Sequence, residues 1–160
     1  MENSPRDVVD LKLIKNINPN LFIHGITNGI YISPFFAIRF KEALLHYYAL
    51  FDMFEATIPR EDKQRMMFKR EIYGNDIMNV IACKGLERFE RPDTYKKWQI
   101  RNVRTGLKQL PSDQERLKKV KNLSKLMGYH KDFRVEEDGH WMLQGWKGRI
   151  IVALSFWIPA

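Results

Sequence analysis

The feature that most constrains this chain is its end, His140 to Ala160, "HWMLQGWKGRIIVALSFWIPA". Three of the four tryptophans lie in the last twenty residues, and no charge follows Arg149. Lys147-Gly148 reads as a two-residue hairpin turn between two strands. With that turn, residues whose numbers sum to 295 face one another. Trp141 then opposes Leu154, and Leu143 opposes Val152. One face would carry Trp141, Leu143, Ile150, Val152, Leu154 and Phe156. The other would carry Met142, Trp146, Ile151, Ala153 and Trp157. Both are apolar, the pattern of a sheet covered on both sides, so helices must lie above and below it. Two-sided burial accounts for the tryptophans without a base-stacking role.

Those helices are legible upstream. "DVVDLKLIKNI" is a short amphipathic helix with Val8, Leu11 and either Ile14 or Leu13 on one side. Asn18-Pro19-Asn20 is turn chemistry, and Leu21 to Ile26 reads as a short buried strand ended by Asn28-Gly29. Ser33-Pro34 predicts the start of a long helix reaching about Ala56, because serine caps free N–H groups and proline tolerates the first position. A further helix is expected from Glu61 to about Cys83, with a break near Gly74, and another from Pro92 carrying Tyr95, Trp98 and Val103. "TGLKQL" has strand character. Ser112 to Glu115 has the form of a capping box opening a basic helix that ends near Met127-Gly128. Phe133 to Glu136 and His140 to Trp146 flank Glu137-Asp138-Gly139, a hairpin turn.

Length and composition fit one domain or part of a larger one: 160 residues, 44% hydrophobic and 12% aromatic, enough for a real core. Cys83 is alone, so no internal disulfide forms and a reducing compartment fits best. The N-terminus lacks signal-peptide patterning. The longest uncharged run, Ile150 to Ala160, is too short to span a bilayer, which takes about 20 residues. No dinucleotide loop, phosphate loop, nucleophile elbow or zinc-protease helix is present. His24, His46, His130 and His140 are scattered without metal-ligand spacing. His24 beside Gly25 sits where α/β folds often bind ligands, but a lone histidine reads first as structural. Cys83 reads as buried rather than nucleophilic.

Charge is unevenly placed. Lys and Arg number 27 against 19 acids, a net charge of +8. Between Lys96 and Lys125 stand ten cations, opposed only by Asp113 and Glu115, so the rest of the chain balances. Lys97, Arg101 and Arg104 are spaced for one helix face. With Lys108, Arg116, Lys118, Lys119 and Lys121 they form a candidate surface for nucleic acid or an acidic partner. The row fits a solvated face equally well. "RLKKVKNLSK" passes as a weak nuclear-import signal. In "ERFERPDTYKKW", the charges of Arg88, Glu90, Arg91 and Asp93 suggest an ion-pair network seating the next helix.

Together these segments resemble the C-terminal part of the GRAS domain of plant transcriptional regulators, closest to its scarecrow-like branch. "NPNLFIHGITNGIYISPFFAIRFKEALLHYYALFDMFEATIPRE" and "IYGNDIMNVIACKGLERFERPDTYKKWQ" resemble the PFYRE region, over about 5–98. "WMLQGWKGRIIVALSFWIPA" resembles the end of the SAW region, over about 99–160. The spaced pairs Trp98 with Gly106 and Trp146 with Trp157 are those of the family. The chain departs from it at Ile72-Tyr73-Gly74-Asn75-Asp76, where a Phe-Tyr-Gly-Arg-Glu run is usual. The family's arginine–glutamate pair stands here as Arg88 and Asp93, and the signature triplet reads Ser155-Phe156-Trp157.

The resemblance implies an α/β, Rossmann- or methyltransferase-like three-layer fold closed by C-terminal antiparallel strands. The N-terminal half of such a domain, with most parallel strands, would precede Pro5, leaving about one parallel strand here. It implies a nuclear transcription regulator without cofactor, binding GRAS partners as homo- or heterodimer and other transcription factors. DNA is a candidate contact, and no membrane role is expected. The rival reading is a methyltransferase-like enzyme or small-molecule binder, by fold analogy alone. A third is a piece of a domain with no activity of its own.

Overall fold

A computed structural model describes residues 5–31 and 33–160. Met1 to Ser4, Ile32 and the side chain expected at Val8 lie outside the described residues. Helices α1 (Pro5–Ile17), α2 (Phe36–Thr57), α3 (Lys63–Met67), α4 (Gly74–Ala82), α5 (Tyr95–Arg104) and α6 (Gln114–Leu126) surround a five-stranded sheet. Its strands are β1 (Phe22–Thr27), β2 (Leu107–Gln109), β3 (Phe133–Asp138), β4 (Trp141–Trp146) and β5 (Arg149–Pro159). The main path runs β1-β5-β4-β3, and β2 pairs with the far end of β5. Every pairing among the described residues is antiparallel. The parallel strand expected here is therefore not found: β1 runs against the long closing strand, which takes β1 on one side and β4 on the other.

The closing hairpin forms as its turn demands. Lys147 and Gly148 both have positive φ, 46° and 80°, and Trp146 pairs with Arg149. Beyond that pair the register departs from the sequence expectation. A β-bulge between Gln144 and Gly145 admits Ile151 as an extra residue, so Leu143 opposes Ala153 and Met142 opposes Leu154. Past the bulge the two faces exchange. Trp141, Leu143 and Ile150 join Ala153 and Trp157 in one core with Leu11, Tyr95 and Leu107, under α1 and α5. The opposite side meets α2 and α4. There Ile151 packs on Tyr31, Ala43, Tyr47, Leu50 and Val80, and Trp146 donates its indole N–H to Asp52 at 2.6 Å. Three layers result, as the two-sided pattern requires. Trp157 is fully buried, while Ile151 and Leu154 are half-buried.

Local signals were mostly honoured, with shifts of a residue or two. β1 is not a buried strand; it alternates half-buried and exposed residues along the sheet edge. Helix α2 begins at Phe36, two residues after Pro34; the Ser33 hydroxyl instead accepts from the Phe35 N–H at 3.3 Å. The helix expected from Glu61 carries a π-helical stretch, Phe68–Tyr73, that ends at Gly74. Asp113, not Ser112, caps α6, accepting from the Glu115 and Arg116 N–H groups. The Ser112 hydroxyl is drawn away to Glu137 of β3.

Candidate functional site

The basic window divides into an inner and an outer part. Helix α5 is capped by Thr94, which accepts from the Lys97 N–H, and its polar side turns inward. Arg101 is 5% exposed and binds Asp93 at 2.7 Å, with its guanidinium 4.8 Å over the Trp98 ring. Lys97 reaches the other oxygen of Asp93 at 3.0 Å. Asp93 itself is 0% exposed and also accepts from the Thr94 N–H. Lys97 and Arg101, counted as surface from their spacing, are committed to this buried carboxylate. A buried acid demands cations, and the helix supplies them four and eight residues on.

The outer part remains a surface. Arg104 and Lys108 are exposed at the end of α5 and on β2. On α6, Leu117 faces inward while Arg116, Lys118, Lys119 and Lys121 are exposed, together with Lys125. Arg116 pairs with Asp113 at 3.1 Å and Lys118 with Glu115 at 3.3 Å, both within the exposed helix. Such pairs are worth about 0–1 kcal/mol and are readily exchanged for another anion.

The family pairs have structural roles. Trp98 lies edge-on to His24, ring centroids 4.9 Å apart. Gly106 has φ 82°, ending α5 and turning the chain into β2, and its carbonyl accepts from the Ala160 N–H at 3.0 Å. A side chain there would strike Lys15. Trp146 and Trp157 are core residues whose indole N–H groups bond Asp52 and Ser155. Arg88 does not pair with Asp93, which is saturated by α5. Asn75 turns back to the Glu71 carbonyl at 2.5 Å, and burial raises the pKa of Asp76.

His24 and His46 are held in packed surroundings. Burial lowers the His24 pKa to about 4, with the Asn102 amide 2.9 Å from Nδ1 partly opposing it. The ring is therefore neutral and Nδ1 accepts that bond. His46, buried against Tyr31 and Tyr47, is likewise lowered to about 4 by burial, then by Arg149. Cys83 is half-buried. A cleft of about 410 Å³ lies between Asn28, Gly29, Glu42, Thr94, Lys147 and Arg149. Its two cations are already paired, Lys147 with Asp52 at 2.8 Å and Arg149 with Glu42 at 3.1 Å. Among the described residues no group of three acids, histidines or cysteines could hold a metal, and no helix is long and apolar enough to cross a membrane.

Sequence reasoning missed two features. Helix α2 leaves Phe36, Ile38, Phe40, Leu44, Leu45 and Tyr48 exposed, although its other side packs on the sheet. The signal was present: this helix is apolar nearly all round, which implies cover on more than one side. The second is a cluster of arginines around Arg88, invisible in sequence because its members come from two distant segments.

Comparison with known proteins agrees with this architecture. The model of the GRAS domain family matches residues 1–158. Scarecrow-like protein 34 of Arabidopsis thaliana is 55% identical over 99% of this chain, which covers 25% of that protein. Scarecrow-like protein 14 of the same plant is 54% identical over 99% of this chain and 20% of its own length. The chain thus spans about a quarter of the curated relatives it matches. The crystal structure of SCL7 in Oryza sativa, a Rossmann-like fold, superimposes with TM-score 0.88 at 20% identity, over 97% of this chain and 43% of that one. By that family match, this chain belongs to the GRAS domain family and is a fragment of its domain.

Proposed function

We propose that this chain belongs to a transcription regulator of the nucleus that works by binding other proteins, without catalysis or cofactor. The observation that supports this best is the exposed apolar side of α2. A 22-residue helix with Phe36, Phe40, Leu44 and Tyr48 open to solvent suits a protein partner better than a small substrate. The partners this reading assigns are those the family resemblance implies, GRAS proteins as homo- or heterodimer and other transcription factors.

DNA is the second contact in this reading. The row on α6, with Arg104 and Lys108, offers cations without base-reading groups, so it would hold phosphates and position the complex. Arg101 and Lys97 take no part, because Asp93 holds them. The experiment is a salt titration of duplex DNA binding. Log affinity should fall with log salt by about 0.9 per phosphate contacted. Replacing Arg104, Lys118, Lys119 and Lys121 with glutamine should flatten that slope, and Arg101→Gln should leave it unchanged. An unaltered slope in the quadruple variant removes DNA from this surface. For the protein contact, Leu44→Glu with Tyr48→Glu should abolish co-purification with a co-expressed scarecrow-like GRAS domain. Retained co-purification would move the partner surface elsewhere.

A further inference from the structure

Arg88 is a buried charge without a counterion among the described residues. The residue is 9% exposed, its Nε has no hydrogen-bond partner, and among the described residues its guanidinium makes no ion pair. Two more arginines stand beside it. Arg39, 5% exposed, donates through Nε to the Val80 carbonyl at 2.9 Å and through Nη1 to the Ser33 carbonyl at 3.1 Å. Arg91 donates through Nε to the Arg88 carbonyl at 2.8 Å and through Nη2 to the Gly85 carbonyl at 2.6 Å. All these acceptors are neutral. Asp93, the acid the sequence offered to Arg88, is occupied by Lys97 and Arg101.

The arrangement is held in place. Asn79 donates to the Glu87 carbonyl at 3.0 Å and accepts from the Glu90 N–H at 2.9 Å, so the backbone on both sides of Arg88 is fixed to α4. Burial and the charges of Arg39 and Arg91 all press on the Arg88 guanidinium in one direction, lowering its pKa. Glu90, two residues away, is pushed up by burial and by Asp76. Three cations gathered with no anion are a site awaiting one.

We propose that Arg39, Arg88 and Arg91 form a receptor for a carboxylate, held in bidentate fashion on the Arg88 guanidinium. Nη2 of Arg39 and Nη1 of Arg91, which bond no group among the described residues, are the additional donors. A planar carboxylate matches a guanidinium fork. The rim is apolar, with Arg39 stacked 5.6 Å over the exposed Phe36 ring, and this favours a small acid group that sheds its water. The carboxylate comes either from a free organic acid or from an aspartate or glutamate of a protein segment.

The test is a titration of the full 160-residue chain, following the side-chain Nε–H resonances of its arginines by NMR. The probes are acetate, the peptide N-acetyl-Phe-Glu-Leu-amide, its glutamine counterpart, and inorganic phosphate. The expected result is saturable movement of the Arg88 resonance with a carboxylate probe, none with the glutamine peptide, and at least tenfold weaker binding in Arg88→Gln and Arg91→Gln. Acetate binding as tightly as the glutamate peptide assigns a free acid; preference for the peptide assigns a protein side chain. Saturation by phosphate alone, or unchanged binding in Arg88→Gln, overturns the proposal. A second readout needs no ligand. An unpaired buried charge opposes folding, so Arg88→Gln should raise Tm in the free chain; a lowered Tm would reveal an internal partner and overturn the proposal as well. Either failure leaves the readings of α2 and α6 intact.

Discussion

At the scale of single residues, Asp93 decides more than any cation. It is fully buried, accepts from the Thr94 N–H and binds both Lys97 and Arg101, and so joins the loop before α5 to the helix itself. Removing one partner of a buried pair costs far more than the pair's net contribution, because the other charge stays out of water. Asp93→Asn should therefore destabilise by about 3 kcal/mol, measured by urea unfolding, whereas Lys118→Gln on exposed α6 should change stability by less than about 0.5 kcal/mol. Equal effects would mean that Asp93 is hydrated. The sequence showed the charges of this loop but not their pairing. Arg88 and Asp93 were expected as partners from the family's arginine–glutamate pair. The helix that follows presents two cations to the same carboxylate, and Arg88 is left to Arg39 and Arg91.

At the scale of elements, the closing hairpin rests on two glycines with different duties. Gly148 has φ 80° and open space around its α-carbon, so Gly148→Ala should cost only backbone strain, about 1 kcal/mol. Gly145 stands at the bulge, where an added Cβ would lie 2.7 Å from the Arg149 carbonyl oxygen. Backbone cannot yield as a flexible side chain does, so Gly145→Ala should cost clearly more than Gly148→Ala in thermal unfolding. The reverse order would mean that the bulge is pliable. The Lys147-Gly148 turn was legible because positive φ at a hairpin tip is a local demand. Helix starts were less so. Ser112 looked like a cap until β3 supplied Glu137, and the Asp113 side chain took over the N–H groups.

At the scale of the molecule, two neutral histidines lie on opposite sides of the sheet, half-buried His24 of β1 beside Trp98 of α5 and buried His46 of α2 beside Tyr31. Burial holds both at pKa about 4, below the ordinary 6.5. The unfolded chain binds their protons first, so their contribution is complete above pH 6.5 and is lost as pH falls toward 4. For fully buried His46 that loss is up to roughly 3 kcal/mol; for half-buried His24 it is smaller. Urea midpoints should therefore drop steeply between pH 6.5 and 4, and His46→Gln should flatten the drop. A drop unaltered by His46→Gln would show that His46 is protonated in the fold.

The sequence alone determined that the last strands are apolar on both sides, that they turn at Lys147-Gly148, and that helices must enclose them. Alternation, turn chemistry and helical spacing are short-range properties, written within a few residues of one another. Only the tertiary structure decided which side of β5 meets which helices. One extra residue, Ile151, reverses every later side chain; Gly145 leaves room for that bulge, but which helices each side meets is not written locally. Packing against α1 and α5 on one side and α2 on the other selects it, through contacts far apart in the chain. The gathering of Arg39 with Arg88 has the same origin, and so does the withdrawal of Arg101 from the surface. Charge partners are chosen by burial, and burial belongs to the whole fold.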